Sequence, residues 1–226
     1  MRFPKERPNL KGLRCLKDLP PAELTKLLGS HQGFGGGITL EDGNRCTWNH
    51  EINLHGPQEN PDTGRLDFMK DGSLMESGDD FMEEWIKQEA TNLVGRRIKV
   101  GNQHGILITN GTQFMIGFGP ALNGSNTKQI AAWLSPEEFF KSNYSVGYWI
   151  GNNGYASLST NPFDEKTVVI TRGPTMSWTG QDFEGNRFNE LITVSKSSTV
   201  KVEFPPATTQ HLNLPPFTRS TLPVAA

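Results

Sequence analysis

Three polar side chains fall, by strand alternation, on otherwise apolar faces, and their types are the ones that could do chemistry. His50 lies between Trp48 and Ile52, while Arg96 and His104 flank runs of isoleucine that lead to Phe114. A histidine can pass a proton near neutral pH, and a histidine or guanidinium can donate to a developing oxyanion. The competing reading for each is a core brace, because a buried arginine or histidine is tolerated once its hydrogen bonds are satisfied. Trp48, Phe114, Trp133 and Trp149 would give flat walls on which an apolar ligand stacks, although large aromatics more often fill cores.

Other chemistries find less support. His50 and His55 would share a metal only if they faced one way, and on a strand they point to opposite sides. No metal and no cofactor are therefore expected. Gly33-Phe34-Gly35-Gly36-Gly37 resembles a phosphate cradle in composition, but such loops work by opening a helix and this one opens a strand. There is no G-x-S-x-G elbow, and neither Cys15 nor Cys46 carries a local catalytic signature. A bridge between those two cysteines stays open.

With 22 basic and 24 acidic residues, the net charge is -2. A dispersed balance of this kind offers no footprint for nucleic acid or an anionic membrane. The first residues lack the apolar core of a signal peptide, and no run approaches the roughly 18 apolar residues of a spanning helix. The expectation is a cytoplasmic protein, with secretion left open by the sequons at Asn110, Asn123 and Asn143.

The elements that must position these residues are strands. The 24 glycines and 15 prolines punctuate short runs rich in valine, isoleucine and threonine, the pattern of strands joined by tight turns. Residues 1–30 form a basic, partly helical segment, with a helix that starts at Pro20-Pro21 and stops at Gly29, read as a lid or barrel plug. In the strand over 45–54, Cys46, Trp48, His50, Ile52 and Leu54 share one face. Asp71-Gly72 turns a hairpin. Three-residue loops at 101–103 and 110–112 would put Arg96, Ile98 and Val100 on the same side as His104, Ile106, Ile108, Phe114, Ile116 and Phe118. Two-residue loops would instead set Arg97 opposite Ile106. The three-residue register is the expectation. Further strands follow, among them one over 130–134 and one over 200–204. Ser135-Pro136-Glu137-Glu138 carries a capping box that predicts one short helix, and 205–226 read as an extended tail. Composition alone leaves one large β domain or two small barrels open.

Three stretches resemble the fungal Hri-type family of two lipocalin-like barrels: Cys46-Thr47-Trp48-Asn49-His50-Glu51-Ile52; Asp71-Gly72-Ser73-Leu74-Met75-Glu76-Ser77-Gly78 with Glu83-Glu84-Trp85; and Gly95-Arg96-Arg97-Ile98-Lys99-Val100-Gly101 with Gly105-Ile106-Leu107. The resemblance implies an all-β fold of two antiparallel barrels meeting near Asn92. The first spans 31–92, its strands before Cys46 shortened and the barrel correspondingly incomplete, and the second spans 93–204. Relatives of this type include cofactor-free cyclases of fungal terpenoid and tropolone secondary metabolism, of the hetero-Diels-Alderase kind. On that reading the chain is a pericyclase acting on a hydrophobic small molecule. His50, His104 and Arg96 would be catalytic, and Trp48, Phe114, Trp133 and Trp149 would bind the ligand. The alternative is a non-catalytic carrier or interaction module. A homodimer stays open for either. A closed apolar cavity would favour the cyclase, and barrels filled by their own side chains would favour the alternative.

Overall fold

The computed structural model describes residues 1–41, 44–56, 60–79, 81–85, 93–119 and 135–201. Trp133, the strand expected over 130–134, the boundary at Asn92 and the tail over 205–226 lie outside the described residues.

The β-rich runs form thirteen strands among the described residues, all paired antiparallel. Five of them, β1 (Phe34–Leu40), β2 (Arg45–Asn53), β3 (Asp62–Phe68), β4 (Leu74–Ser77) and β5 (Met82–Trp85), make a sequential meander. The other eight are β6 (Val94–Val100), β7 (Gln103–Thr109), β8 (Gln113–Gly119), β9 (Asn143–Ile150), β10 (Asn153–Ser159), β11 (Val168–Thr171), β12 (Met176–Gln181) and β13 (Arg187–Lys201). They close into a barrel in which β13 returns to β6. The expected all-β class holds, with one closed barrel and a five-stranded sheet where the incomplete first barrel was expected. Two α-helices occur among the described residues: α1 (Pro21–Ser30), with proline in its first turn, and α2 (Pro136–Phe139), whose N-cap Ser135 accepts from the Glu138 amide as its capping box predicts.

The strand register differs from expectation at β7. Val100 pairs with Gln103 across a two-residue Gly101-Asn102 turn, with Gly101 at φ 56, and Thr109 pairs with Phe114. Gly101 can take the positive φ that a tight hairpin turn needs, and this shortens the loop by one residue. Both junctions shift by one, so β7 alone is reversed. Ile98, Val100, Phe114, Ile116 and Phe118 remain inside with Leu107, while His104, Ile106 and Ile108 turn to the outer face, and Arg97 pairs with Ile106.

Inside the barrel, Ile98, Val100, Leu107, Phe114, Ile116, Phe118, Ala156, Val169, Ile170, Trp178 and Ile192 form one buried core. A small eight-stranded barrel has room for little more than such side chains. On its outer face, Ile106 meets the sheet at Gly35, where an added Cβ would stand 3.0 Å from the Ile106 side chain. Arg97 of β6 grips the Glu51 carboxylate of β2 through two nitrogens. A second buried cluster joins Leu16, Leu19 and Leu27 of the first segment to Ile52, Leu54, Phe139, Phe140 and Tyr144. The first segment therefore packs between sheet and barrel, and the barrel core holds none of its residues.

One end of the barrel holds a polar network. Asn143 donates through Nδ2 to Asp164 (3.2 Å), the Gln181 amide donates to the same carboxyl (3.2 Å), and the Ser145 hydroxyl donates to Asn143 Oδ1 (2.7 Å). Asn143 is buried, which removes its sequon from glycan chemistry. Asp164 is 3 % exposed, and burial pushes its carboxyl up to about 7. A carboxyl raised above its unfolded value favours the folded state at low pH, and that contribution fades as pH climbs from about 4 through about 7. The difference corresponds to roughly 4 kcal/mol. Asp164→Asn should therefore flatten the fall in urea-unfolding free energy between pH 4 and pH 8. An unchanged slope in the variant would assign the pH dependence to other groups.

Candidate functional site

The motif Cys46-Thr47-Trp48-Asn49-His50 lies on β2, and a bulge decides what it faces. Gly35 pairs with Ile52 and Gly36 with His50, so Glu51 has no partner residue on β1. An extra residue of this kind reverses the alternation beyond it. Ile52 and Leu54 consequently enter the cluster between sheet and barrel, and Asn53, not Ile52, joins His50 on the opposite face. The expectation that Cys46 through Leu54 share one face holds only as far as His50.

That face is concave. Trp48 on β2 and Trp85 on β5 would stand at least about 14 Å apart across three strand spacings of a flat sheet, yet their rings stack with centroids 6.1 Å apart. The sheet has therefore rolled. Within the roll, Trp48 Nε1 donates to Glu76 on β4 at 2.7 Å. Phe34 meets the Trp48 ring edge-on and lies flat on the His50 ring, with centroids 3.9 Å apart. Cys46 and Leu66 are buried beside them, and burial pushes the Cys46 thiol up. Cys15 is buried elsewhere and both cysteines are free, so no bridge forms.

The hydrogen bonds of His50 can be assigned from its neighbours. Asn53 Oδ1 accepts from the His55 amide, so Asn53 Nδ2 is the atom that donates to His50 Nδ1 (2.8 Å). His50 then carries its hydrogen on Nε2 and donates it to Asp62 at 2.9 Å. Both ring nitrogens are engaged and the side chain is 7 % exposed, whereas the Asp62 side chain is 26 % exposed. At this pair, Asp62 is the group able to touch a ligand, and His50 positions it.

The three expected catalytic residues do not converge. His50 is in the roll. His104 is exposed on the outer face of β7, because the two-residue turn reverses that strand. Arg96 keeps the inward register of Ile98, but its side chain reaches solvent. Among the expected ligand-binding residues, Trp48 lies in the roll, and Phe114 and Trp149 meet each other at the barrel with centroids 5.3 Å apart. Phe114 belongs to the barrel core. Trp149 donates to Thr109 Oγ1 (3.1 Å) and is covered by the Arg172 guanidinium, 3.4 Å from its ring centroid. Both side chains are engaged in packing at the barrel. Trp133 lies outside the described residues. His55 Nε2 donates to the His31 carbonyl (2.6 Å), away from the roll, and no metal-holding group of three His, Cys, Asp or Glu side chains occurs among the described residues.

Phe34, Asp62, Glu76 and Trp85 were not singled out as site residues from sequence. Their relation to Trp48 and His50 depends on the bulge and the rolling of the sheet, neither of which has a local signal.

Glu76 is 4 % exposed, so Trp48→Phe should lower stability by about 1–3 kcal/mol by removing the donor to a buried carboxylate. Adding Glu76→Leu should recover part of that loss, as read by urea unfolding. Equal losses in the single and double variants would mean that the bond contributes nothing.

No family model, curated protein or solved structure matches this chain.

Proposed function

We propose that the chain is a cofactor-free cyclase that holds a flat, apolar small molecule on the concave face of the rolled sheet. The observation that carries this reading is the aromatic face itself: Phe34, Trp48 and the 43 %-exposed Trp85 contact one another in series, and beside Trp48 on β3 stands a part-exposed carboxylate, Asp62, whose position His50 fixes. A pericyclic step needs no nucleophile. It needs both reacting ends held in one pose, and proximity of that kind is worth on the order of 7–11 kcal/mol in the best cases. The role of Asp62 in this reading is to take the proton of a ring hydroxyl and pass it to the departing benzylic hydroxyl, so that the C–O bond breaks with loss of water and the quinone methide forms, with His50 holding the carboxylate through Nε2. The stretches that resemble the Hri-type family support the same reading, and with it a hetero-Diels-Alderase type of reaction on a fungal terpenoid or tropolone intermediate.

A second reading, a non-catalytic carrier or interaction module, is favoured by the filled interior of the barrel. The test is incubation of the protein with a quinone-methide precursor and a dienophile, with products followed by mass analysis against a heat-denatured control. The cyclase reading expects a new cycloadduct or a sharpened isomer ratio. It further expects a turnover loss of at least about tenfold in Asp62→Asn with ligand quenching of tryptophan fluorescence retained. Ligand retained without product would establish the carrier, and neither retention nor product would overturn both small-molecule readings.

A further inference from the structure

Residues 1–13 are tied to the end of α1 through a buried histidine whose surroundings suit only its neutral form. His31 follows α1 and is 0 % exposed. The Arg7 guanidinium approaches its Nε2 at 3.1 Å, and its Nδ1 lies 2.7 Å from the Leu27 carbonyl. A guanidinium can only donate, so Nε2 accepts, and Nδ1 carries the hydrogen that Leu27 receives. The same Arg7 reaches across to the barrel, donating to the Ser159 carbonyl (2.6 Å) and to Glu165 (2.5 Å). His55, in the turn after β2, contacts the His31 carbonyl through Nε2 at 2.6 Å, and Phe3 packs edge-on against the His31 ring. The charged and titratable groups around His31 are thus Arg7 from the first segment, His55 from the sheet, and Glu165 from the barrel acting through Arg7.

We infer that His31 and Arg7 form an acid-released latch: protonation of His31 sets a second positive charge against the Arg7 guanidinium and parts residues 1–13 from α1. No acceptor remains for the new proton, because the atom that would receive it faces a donor. Glu165 is already committed to Arg7 and to the Ser159 amide, which donates to it at 3.1 Å. Burial, with Arg7 and His55 adding to it, lowers the His31 ring to about 4 from an ordinary 6.5. The sign follows: a histidine depressed in the closed state holds the latch shut above about 6.5, and its contribution is lost as pH falls towards about 4. Between segment 4–13 and α1 lies a cavity of about 490 Å³, lined by Arg7, Leu13, Leu19, Leu27 and Ser30 among others. Release of the latch opens that cavity.

The test is hydrogen exchange at pH 7 and pH 4.5, with labelling times scaled to intrinsic rates, on peptides covering 1–13, 21–32 and the barrel strands. In the wild-type chain the first two should lose protection on the order of 50-fold at the lower pH, the factor that linkage gives for pKa values of about 4 and 6.5. The barrel strands should keep theirs, and His31→Gln should exchange equally at both values. Loss of protection together with the barrel, or an undiminished pH response in His31→Gln, would overturn the latch. Should that variant fold poorly, nitrogen NMR of the wild-type histidines decides. A His31 ring that is Nδ1-protonated at pH 7 and titrates together with release supports the proposal, and one that titrates with the segment still protected overturns it.

Discussion

The register of β7 is the constraint on which the rest of the molecule depends. A strand displaced by one residue presents its other face, and in β7 that choice sends Ile106 and Ile108 outward. An outward apolar pair on a closed barrel must be covered. β1 and β2 cover it, with Gly35 close enough to bring the strand backbone against Ile106. The bulge at Glu51 turns Ile52 towards the same junction and leaves Glu51 to pair with Arg97. Sheet, barrel and first segment then share the cluster around Ile52 and Tyr144.

Within the rolled sheet the organising rule is satisfaction of polar groups that the fold has buried. Trp48 and Glu76 are partners because each would otherwise be a lone polar group under an apolar roof. His50 is fixed from both sides by Asn53 and Asp62. Such a network sets side-chain positions more narrowly than apolar packing does, since directional bonds add to contact. The aromatic face is consequently held in shape by groups that need not themselves react.

The chain announces its local structure and conceals its long-range partnerships. The capping serine of α2, the proline start of α1 and the glycine turn at Asp71-Gly72 each depend on a few adjacent residues, and each was legible. The outer registers of β6 and β8 were legible too, from alternation alone. β7 was not, because Gly101-Asn102-Gln103 is compatible with two loop lengths and one residue decides between them. His50 was identified, but its partners Asn53 and Asp62 emerge only once the bulge and the β2–β3 pairing are known. The placement of His104 failed for the β7 reason. Arg96 was given the correct face, yet a face does not tell how deep a side chain sits.

The ring of Tyr144 lies over two glycines far apart in the chain. A Cβ at Gly33 would stand 2.7 Å from it, and one at Gly117 would stand 2.6 Å from it. Gly33 just before β1, Gly117 on β8 and Tyr144 on β9 thus behave as a single steric unit. A methyl group gained at either glycine demands a smaller ring at 144, and a larger ring there is compatible with neither. Substitution is therefore ordered in one direction: glycine at both positions is required for as long as the ring at 144 is kept, and either can gain a side chain only after that ring has gone.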